Sequence, residues 1–329
     1  MKRIERLLRT LDGVQQRHSL MGFPVGVVKK FGDDQGGKHA ALLAYYGFVS
    51  LFPLLLVFAT TLAYVLDSNP ALQQQVIDTA VAQFPVLGPQ LRDNIGAIQG
   101  SGIGLAIGVL GTLWGGLGIT QTAQDAMNAV WNIPRRDRPS LWLRLLRGLA
   151  LLLLVAVALF AATALAGLGT TWPGILGSLF PLGGSLLLNL LLIVGMFQLL
   201  TAAAVPWRRL VPGAGFAAVG WSVLQAVAVL IVTRQVARAN VLYGAFAVVL
   251  VVLSWMLLTG RLLVYAAEIN VVLARRLWPR SLLQPPLTEK DRQALTALAE
   301  TAQLRPEQHV DVTFVTKQGD RDDAKADDP

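Results

Sequence analysis

The chain has 329 residues, of which 54% are hydrophobic and only 15% are charged, and its formal net charge at pH 7 is +8. Soluble domains usually carry about 25% charged residues, so this composition excludes an ordinary soluble globular protein and predicts a membrane protein. The lack of cysteine excludes disulfide bonds, thiolate metal sites and a cysteine nucleophile.

Residues 1–39 form a basic N-terminal segment that we expect to be cytoplasmic. Within its first 20 residues, five apolar side chains recur at helical spacing, and they are Ile4, Leu7, Leu8, Leu11 and Val14. This stripe predicts an amphipathic helix. Two placements stay open at this point: the helix lies on an anionic inner leaflet, or it packs on the cytoplasmic face of the protein.

Six apolar segments follow, each near or above the roughly 20 residues that cross a hydrocarbon core. They cover approximately residues 40–66, 102–120, 145–171, 182–204, 212–234 and 244–274. We therefore predict an all-α integral membrane protein with a six-helix transmembrane domain at residues 40–275. Of the 28 Lys and Arg residues, 24 lie on the side that carries both termini, three lie on the opposite side, and Arg261 lies within span six. This bias predicts that the N- and C-termini are cytoplasmic.

Two polar regions flank or interrupt the spans. Between spans one and two, Ser68-Asn69-Pro70 is typical of a helix start, so we predict a helical extracytoplasmic loop. The tail, residues 276–329, is predicted to be polar and cytoplasmic, with one helix capped by Thr288. Its last dozen residues are expected to be disordered.

Span one contains a proline inside a long apolar run. Pro53 has no N–H, so the carbonyl of Val49 loses its helical donor, and the hydroxyl of Ser50 is close enough to compensate. Broken helices mark substrate sites in some transporters, but proline is also common in membrane helices as a simple kink. Ser50 and Pro53 are therefore candidate pathway residues, with a packing role as the alternative.

Span two carries a glycine face. Five glycines recur in steps of four and three residues, namely Gly104, Gly108, Gly111, Gly115 and Gly118. Such a stripe lets a neighbouring helix approach closely; a small-residue wall along a groove is the alternative. The same face continues to Asp125, which is a further candidate for the pathway.

Span six places charges where hydrocarbon is expected. Ser254, Arg261 and Glu268 are seven residues apart and share a helical face, with Tyr265 between the last two. A charge at the bilayer centre costs about 2.5–3.5 kcal/mol on insertion scales, so we expect this face to point into the bundle. It forms either a structural polar network or a pathway in which Glu268 binds a cation or proton, or Arg261 attracts an anionic headgroup.

Four runs, taken together, resemble the YihY/BrkB family of bacterial inner-membrane proteins. They are "LAYYGFVSLFPLLLV", "QDAMNAVWNIPRRDRP", "VPWRRLVPGAGFAAVGW" and "NVLYGAFAVVLVVLSWMLLTGRLLVYAAEIN", and they span about residues 35 to 275. Ser50, Pro53 and Glu268 match the family pattern. The chain departs from it at "AAEIN", where the family usually has "GAELN", and Arg261 is not part of the pattern.

The resemblance implies a six-helix membrane protein of a kind described as a virulence factor or transporter, and it implies no established reaction. Some members carry an old label, ribonuclease BN. The residues of this chain argue against that activity, because its three histidines, His18, His39 and His309, are far apart and metal-dependent hydrolysis needs clustered ligands.

We therefore expect a multi-pass protein of the bacterial inner membrane that transports or exports a lipid-like or envelope-related solute. The alternative is a non-catalytic scaffold that organises envelope proteins. We expect no enzymatic activity, cofactor, metal site or nucleic-acid partner. The expected partners are a bilayer with an anionic inner leaflet and a lipid or small-molecule substrate, and self-association into a homo-oligomer is left open.

Overall fold

A computed structural model provides the coordinates of the protein. It describes residues 19–65, 102–169, 175–239 and 244–314, together with residues 9, 12–13, 15–17, 71, 74–75 and 78. The predicted helix in the first 20 residues, the loop between the first two spans and the end of the tail lie largely or wholly outside these ranges.

Every regular element in the described part of the chain is a helix. The α-helices are α1 (Ser19–Asp33), α2 (Gly36–Val65), α3 (Gly102–Val130), α4 (Leu141–Gly169), α5 (Ile175–Leu200), α6 (Trp207–Ala239), α7 (Gly244–Arg275) and α8 (Glu289–Glu300). A short 3₁₀ turn, Arg135–Asp137, joins α3 to α4. The all-α class is thus confirmed.

Four of the described helices contain segments that are long and apolar enough to cross a membrane. These segments are Leu141–Leu165, Leu182–Leu200, Trp207–Ala228 and Val249–Arg275, which correspond to the last four predicted spans. The first two predicted spans fall within α2 and α3, which are 30 and 29 residues long. The count of six spans, the placement of the termini and the domain boundaries remain predictions.

Helix α7 is the central element of the fold. It packs against α1, α2, α3 and α6, while α2 lies along α3, and α4 and α5 extend the bundle to α6. Its buried face consists mainly of small side chains, including Ala266, Ala267, Val271 and Val272. Close approach of backbones, a recurrent feature of membrane helix packing, is sharpest at Gly213 of α6, where an added Cβ would collide with Ala266 of α7.

Helix α1, which precedes the bundle, packs against the tail that follows α7. Helix α8 forms where the tail was predicted to be helical, and Thr288 caps it through a reciprocal capping box with Asp291. The chain between α7 and α8 runs along α1, where Gly26 lies close to the carbonyl of Leu277. This arrangement fixes α1 against the end of α7.

Candidate functional site

Three helices end around one buried group of charged side chains. Each of these helices is followed by a residue in the left-handed conformation. This residue is Gln35 after α1, Asn132 after α3 and Arg276 after α7. After α3 and α7, the next amide donates to the carbonyl five positions back, at 2.8 and 3.1 Å, which is the Schellman hydrogen bond. Helix C-termini carry partial negative charge, so this place favours cations.

Lys30, in the last turn of α1, is the cation at the centre of the group. Its side chain is 1% exposed, and its ammonium donates to the carboxylate of Asp34 and to the backbone carbonyl of Val130 at 2.9 Å. The ammonium nitrogen also lies 3.7 Å from Oε2 of Glu268. Lys30 therefore caps α3 and stands between two carboxylates from different elements.

A second cation completes the capping of α3. Arg275 donates from Nη2 to the carbonyl of Trp131 at 2.6 Å and from Nη1 to Oδ1 of Asn132 at 3.4 Å. Asn132 in turn donates from Nδ2 to Oδ1 of Asp34 at 3.1 Å. A continuous chain of polar contacts thus links the end of α7 to the turn after α1. We call Lys30, Asp34, Asn132, Glu268 and Arg275 the charge cluster.

Glu268 is the member of the charge cluster with the poorest hydrogen bonding. Its side chain is 0% exposed, and neither carboxylate oxygen has a hydrogen-bond partner among the described residues. The 3.7 Å separation from Lys30 is an ion-pair distance that is too long for a hydrogen bond. A buried carboxylate without hydrogen bonds is costly, so this position demands an explanation beyond packing.

The segment 277–291, which we call the C-terminal clasp, holds α1 beside the charge cluster. Arg280 is fully buried; its Nη1 lies 2.7 Å from Asp33 of α1, and its Nε donates to Asp291 at 2.9 Å. Its carbonyl accepts a hydrogen bond from Gln15 at 2.6 Å. The clasp therefore ties the chain on both sides of the spans to one buried guanidinium.

Asp291 is held ionised inside the clasp. Burial opposes ionisation, but hydrogen bonds from the backbone and hydroxyl groups of Ser281 and Thr288 outweigh it and lower the pKa of Asp291 to about 2. The four donor distances lie between 2.8 and 3.0 Å. Asp291 is therefore charged at neutral pH while it holds the C-terminal clasp together.

The structure separates the charges predicted on α7. Glu268 is buried as expected, whereas Arg261 and Ser254 are exposed, so the expectation that Arg261 faces the bundle interior is wrong. The physical reason is that α1 packs over the helical face at Glu268 but not at Arg261. Tyr265 is half-buried and stacks on Phe31 of α1, with ring centroids 3.9 Å apart. Tyr265 therefore contributes to the contact between α7 and α1.

The remaining candidates lie elsewhere. Asp125 pairs with Arg144 at 3.0 Å and Arg138 at 3.4 Å, so it belongs to the connection between α3 and α4 and not to the charge cluster. Ser50 donates to the carbonyl of Tyr46 at 2.7 Å, within its own helix. Pro53 lies in α2, but its side-chain surroundings fall outside the described residues.

The glycine face of α3 lies against α2 in the described part. An added Cβ at Gly115 would lie 2.8 Å from the Cβ of Ser50, and one at Gly118 would lie 3.1 Å from the ring of Tyr46. These approaches are those of close helix packing. Gly111 is half-buried, and the side-chain surroundings of Gly104 and Gly108 lie outside the described residues.

Sequence reasoning missed Lys30 and Asp34, although a signal was present. In "FPVGVVKKFGDD", residues 23–34, apolar positions recur at helical spacing, and Lys30 falls on the same face as Val27 with Asp34 one turn later. A lysine within an apolar stripe, followed at four residues by an aspartate, indicates a buried ion pair.

Comparisons with known proteins find relatives that are described as membrane proteins. The profile of the family described as Virulence factor BrkB matches residues 27–290, a range that contains the charge cluster. The inner membrane protein YhjD of Escherichia coli is 25% identical over 252 residues, covering 68% of this chain and 73% of YhjD. No solved structure matches the chain.

Other relatives have less specific descriptions. A UPF0761 membrane protein of Alcanivorax borkumensis is 26% identical over 272 residues, which cover 78% of this chain and 61% of that protein. A ribonuclease-like protein of Bacillus subtilis, YfkH, is 24% identical over 272 residues, covering 78% of this chain and 96% of that relative.

Proposed function

Since the chain belongs to the family described as Virulence factor BrkB, we propose that it is a transporter or export factor for a lipid-like or envelope-related solute. It is a multi-pass protein of the bacterial inner membrane. We propose further that α2 and α3 also cross the bilayer, that both termini are cytoplasmic, and that the charge cluster lies at the cytoplasmic end of the bundle.

The observation that carries this proposal is the fully buried Glu268 with no hydrogen-bond partner in the described structure. Ionisable residues in membrane helices are expensive, and they commonly mark ion or substrate pathways. A merely structural ion pair gains stability only when its geometry and hydrogen bonding are excellent, and Glu268 lacks the second. The position is better suited to a group that changes its partner or its charge during a transport cycle.

Arg261 supports a solute with an anionic headgroup. It is exposed and lies 14 residues before the end of α7, or about 21 Å along the helix axis. An exposed guanidinium at that depth has a high desolvation cost, which a lipid phosphate would offset through charge-assisted hydrogen bonds. The helix thus offers a buried carboxylate on one level and an anion-binding side chain on another.

The test uses protein reconstituted in vesicles with headgroup-labelled phosphatidylglycerol or phosphatidylcholine. Lipid movement between leaflets is read from quenching of the label by an impermeant reductant. We expect faster movement of the anionic lipid than in protein-free vesicles, and slower movement with Arg261→Gln. Arg305→Gln, which changes an exposed residue of the tail, is the matched control. Wild-type rates equal to those of empty vesicles would overturn the transport proposal.

A scaffold is the second candidate, and the complete burial of side chains in the charge cluster favours it. Lys30 and Glu268 have side chains that are at most 1% exposed, as expected for a static polar network that keeps helices in register. Glu268→Gln separates the two functions. A scaffold predicts that thermal stability in detergent falls together with function, whereas a transporter predicts loss of lipid movement at wild-type stability.

We also propose that the chain is not an enzyme. The name ribonuclease-like belongs to the Bacillus subtilis relative, and the basic residues of this chain are accounted for by the positive-inside rule. Purified protein supplied with Mg²⁺, Mn²⁺ or Zn²⁺ should show no RNA hydrolysis above a detergent blank. Hydrolysis that copurifies with the protein and disappears when an acidic residue is changed would contradict this.

A further inference from the structure

We propose that Glu268 is a proton-binding site, and that a proton is the ion that couples transport to opening of the charge cluster. This inference rests on the proposed function, because it names the coupling ion of the same site. Its first support is the 0% exposed side chain of Glu268. Its second is that neither carboxylate oxygen accepts a hydrogen bond from any described residue.

The surroundings of Glu268 favour a neutral carboxyl over a fully paired carboxylate. From α1, the group that faces it is Lys30, and from the turn after α1 it is Asp34; these are the charged neighbours within the described structure. Lys30 is shared, since its ammonium contacts Asp34 directly and Val130 through a hydrogen bond. The C-terminus of α3 adds a negative partial charge, which also disfavours a second anion.

A metal cation suits the charge cluster less well than a proton. Hard cations take six or more oxygen ligands, whereas the two oxygens of Asp34 are already bonded to Lys30 and Asn132. The ammonium of Lys30 stands where such a cation would need to lie, 3.7 Å from Glu268, and would repel it. A proton needs one carboxylate oxygen and displaces no group.

The step is a simple protonation. A proton from cytoplasmic water adds to one carboxylate oxygen of Glu268, giving a neutral carboxylic acid, and no other bond is formed or broken. Lys30 remains an ammonium and keeps Asp34 as its partner. Because the buried surroundings favour the neutral carboxyl, binding of the proton stabilises the packing of α1 on α7 around the charge cluster. Release of the proton leaves a buried carboxylate without hydrogen bonds, which is costly and favours opening of the charge cluster to water.

Infrared difference spectroscopy of the full-length protein in lipid tests this directly. Spectra recorded as the pH is lowered from alkaline to neutral values, a range in which ordinary carboxylates stay ionised, should show the carbonyl stretch of a newly protonated carboxyl, and the band should shift in heavy water. We expect Glu268→Gln to lose the band and Glu268→Asp to retain one, since it keeps a carboxyl. Asp125→Asn, which changes a carboxylate at the surface, should leave it unchanged.

Each other outcome counts against the inference. A wild-type protein without any such band overturns it without recourse to a variant. A band that survives in Glu268→Gln and disappears in Asp34→Asn assigns the proton to Asp34. A spectrum that responds to Na⁺ at constant pH, and not to pH, assigns the site to a metal cation.

The lipid assay separates failure of this inference from failure of the transport proposal. If the band depends on Glu268 but vesicles show no protein-dependent lipid movement, the proton site stands and transport fails. If the protein moves lipid at a rate that does not change with a pH gradient, and the band does not depend on Glu268, transport stands and proton coupling fails.

Discussion

Replacing Asp291 with asparagine should release the C-terminal clasp from α1. Asp291 accepts the Nε–H of Arg280 at 2.9 Å and hydrogen bonds from Ser281 and Thr288. Asparagine has a single side-chain oxygen and no charge, so it cannot satisfy these donors. Arg280, which is fully buried, then keeps Asp33 as its one ion-pair partner among the described residues.

The size of the effect follows from the pKa of Asp291. A change from the ordinary value of 3.8 to about 2 in the folded protein corresponds to about 2 kcal/mol of stabilisation at neutral pH. Loss of that amount raises the population of the locally opened clasp by about 30-fold. Leaving a buried guanidinium with fewer partners costs more, so this is the lower end of the expected range.

Thiol labelling measures the opening, because the chain has no cysteine of its own. Ala294 of α8 is buried, so Ala294→Cys should react slowly with a maleimide in an otherwise unchanged chain. Adding Asp291→Asn should accelerate labelling about 30-fold or more. Asp311→Asn is the control, since Asp311 is exposed and pairs with exposed His309. Equal labelling rates for the two variants would refute the reasoning.

Acid should have the same effect as the substitution. Because the folded pKa of Asp291 lies below its ordinary value, its stabilising contribution is complete above about pH 4 and declines as the pH falls to about 2. Pepsin cleavage of the tail should therefore accelerate across this interval. The acceleration should be smaller in Asp291→Asn, and an unchanged profile would contradict the assignment.

Two further predictions concern packing and topology. Gly213→Ala places a Cβ against the carbonyl of Ala266 and should destabilise the protein by about 1–3 kcal/mol. In the control, Gly215→Ala, the added Cβ meets nothing within 4 Å, so the thermal midpoint should not change. Equal midpoints for the two variants would refute the close approach. In intact cells or spheroplasts, Gln74→Cys should react with an impermeant maleimide and Arg136→Cys should not, and the reverse pattern would invert the proposed topology.

Local sequence features predicted the class of the molecule and several of its elements. Long apolar runs indicate helices that can cross a membrane, because hydrocarbon requires internal satisfaction of every backbone group. The helix after Thr288 was predictable from its capping residue alone, and the cost of a buried carboxylate marked Glu268. Each of these inferences uses residues that are close together in the chain.

Only the tertiary structure decided which charges come together. Arg261 and Glu268 share a face of α7 by their spacing, yet one is exposed and the other buried, because α1 covers that face at one level only. Lys30 reaches Glu268 across 238 positions of sequence, and helical periodicity carries no information about such a contact. The ends of α1, α3 and α7 must first be packed before their carbonyl groups and side chains define a charged site, so its composition follows from the arrangement of the helices.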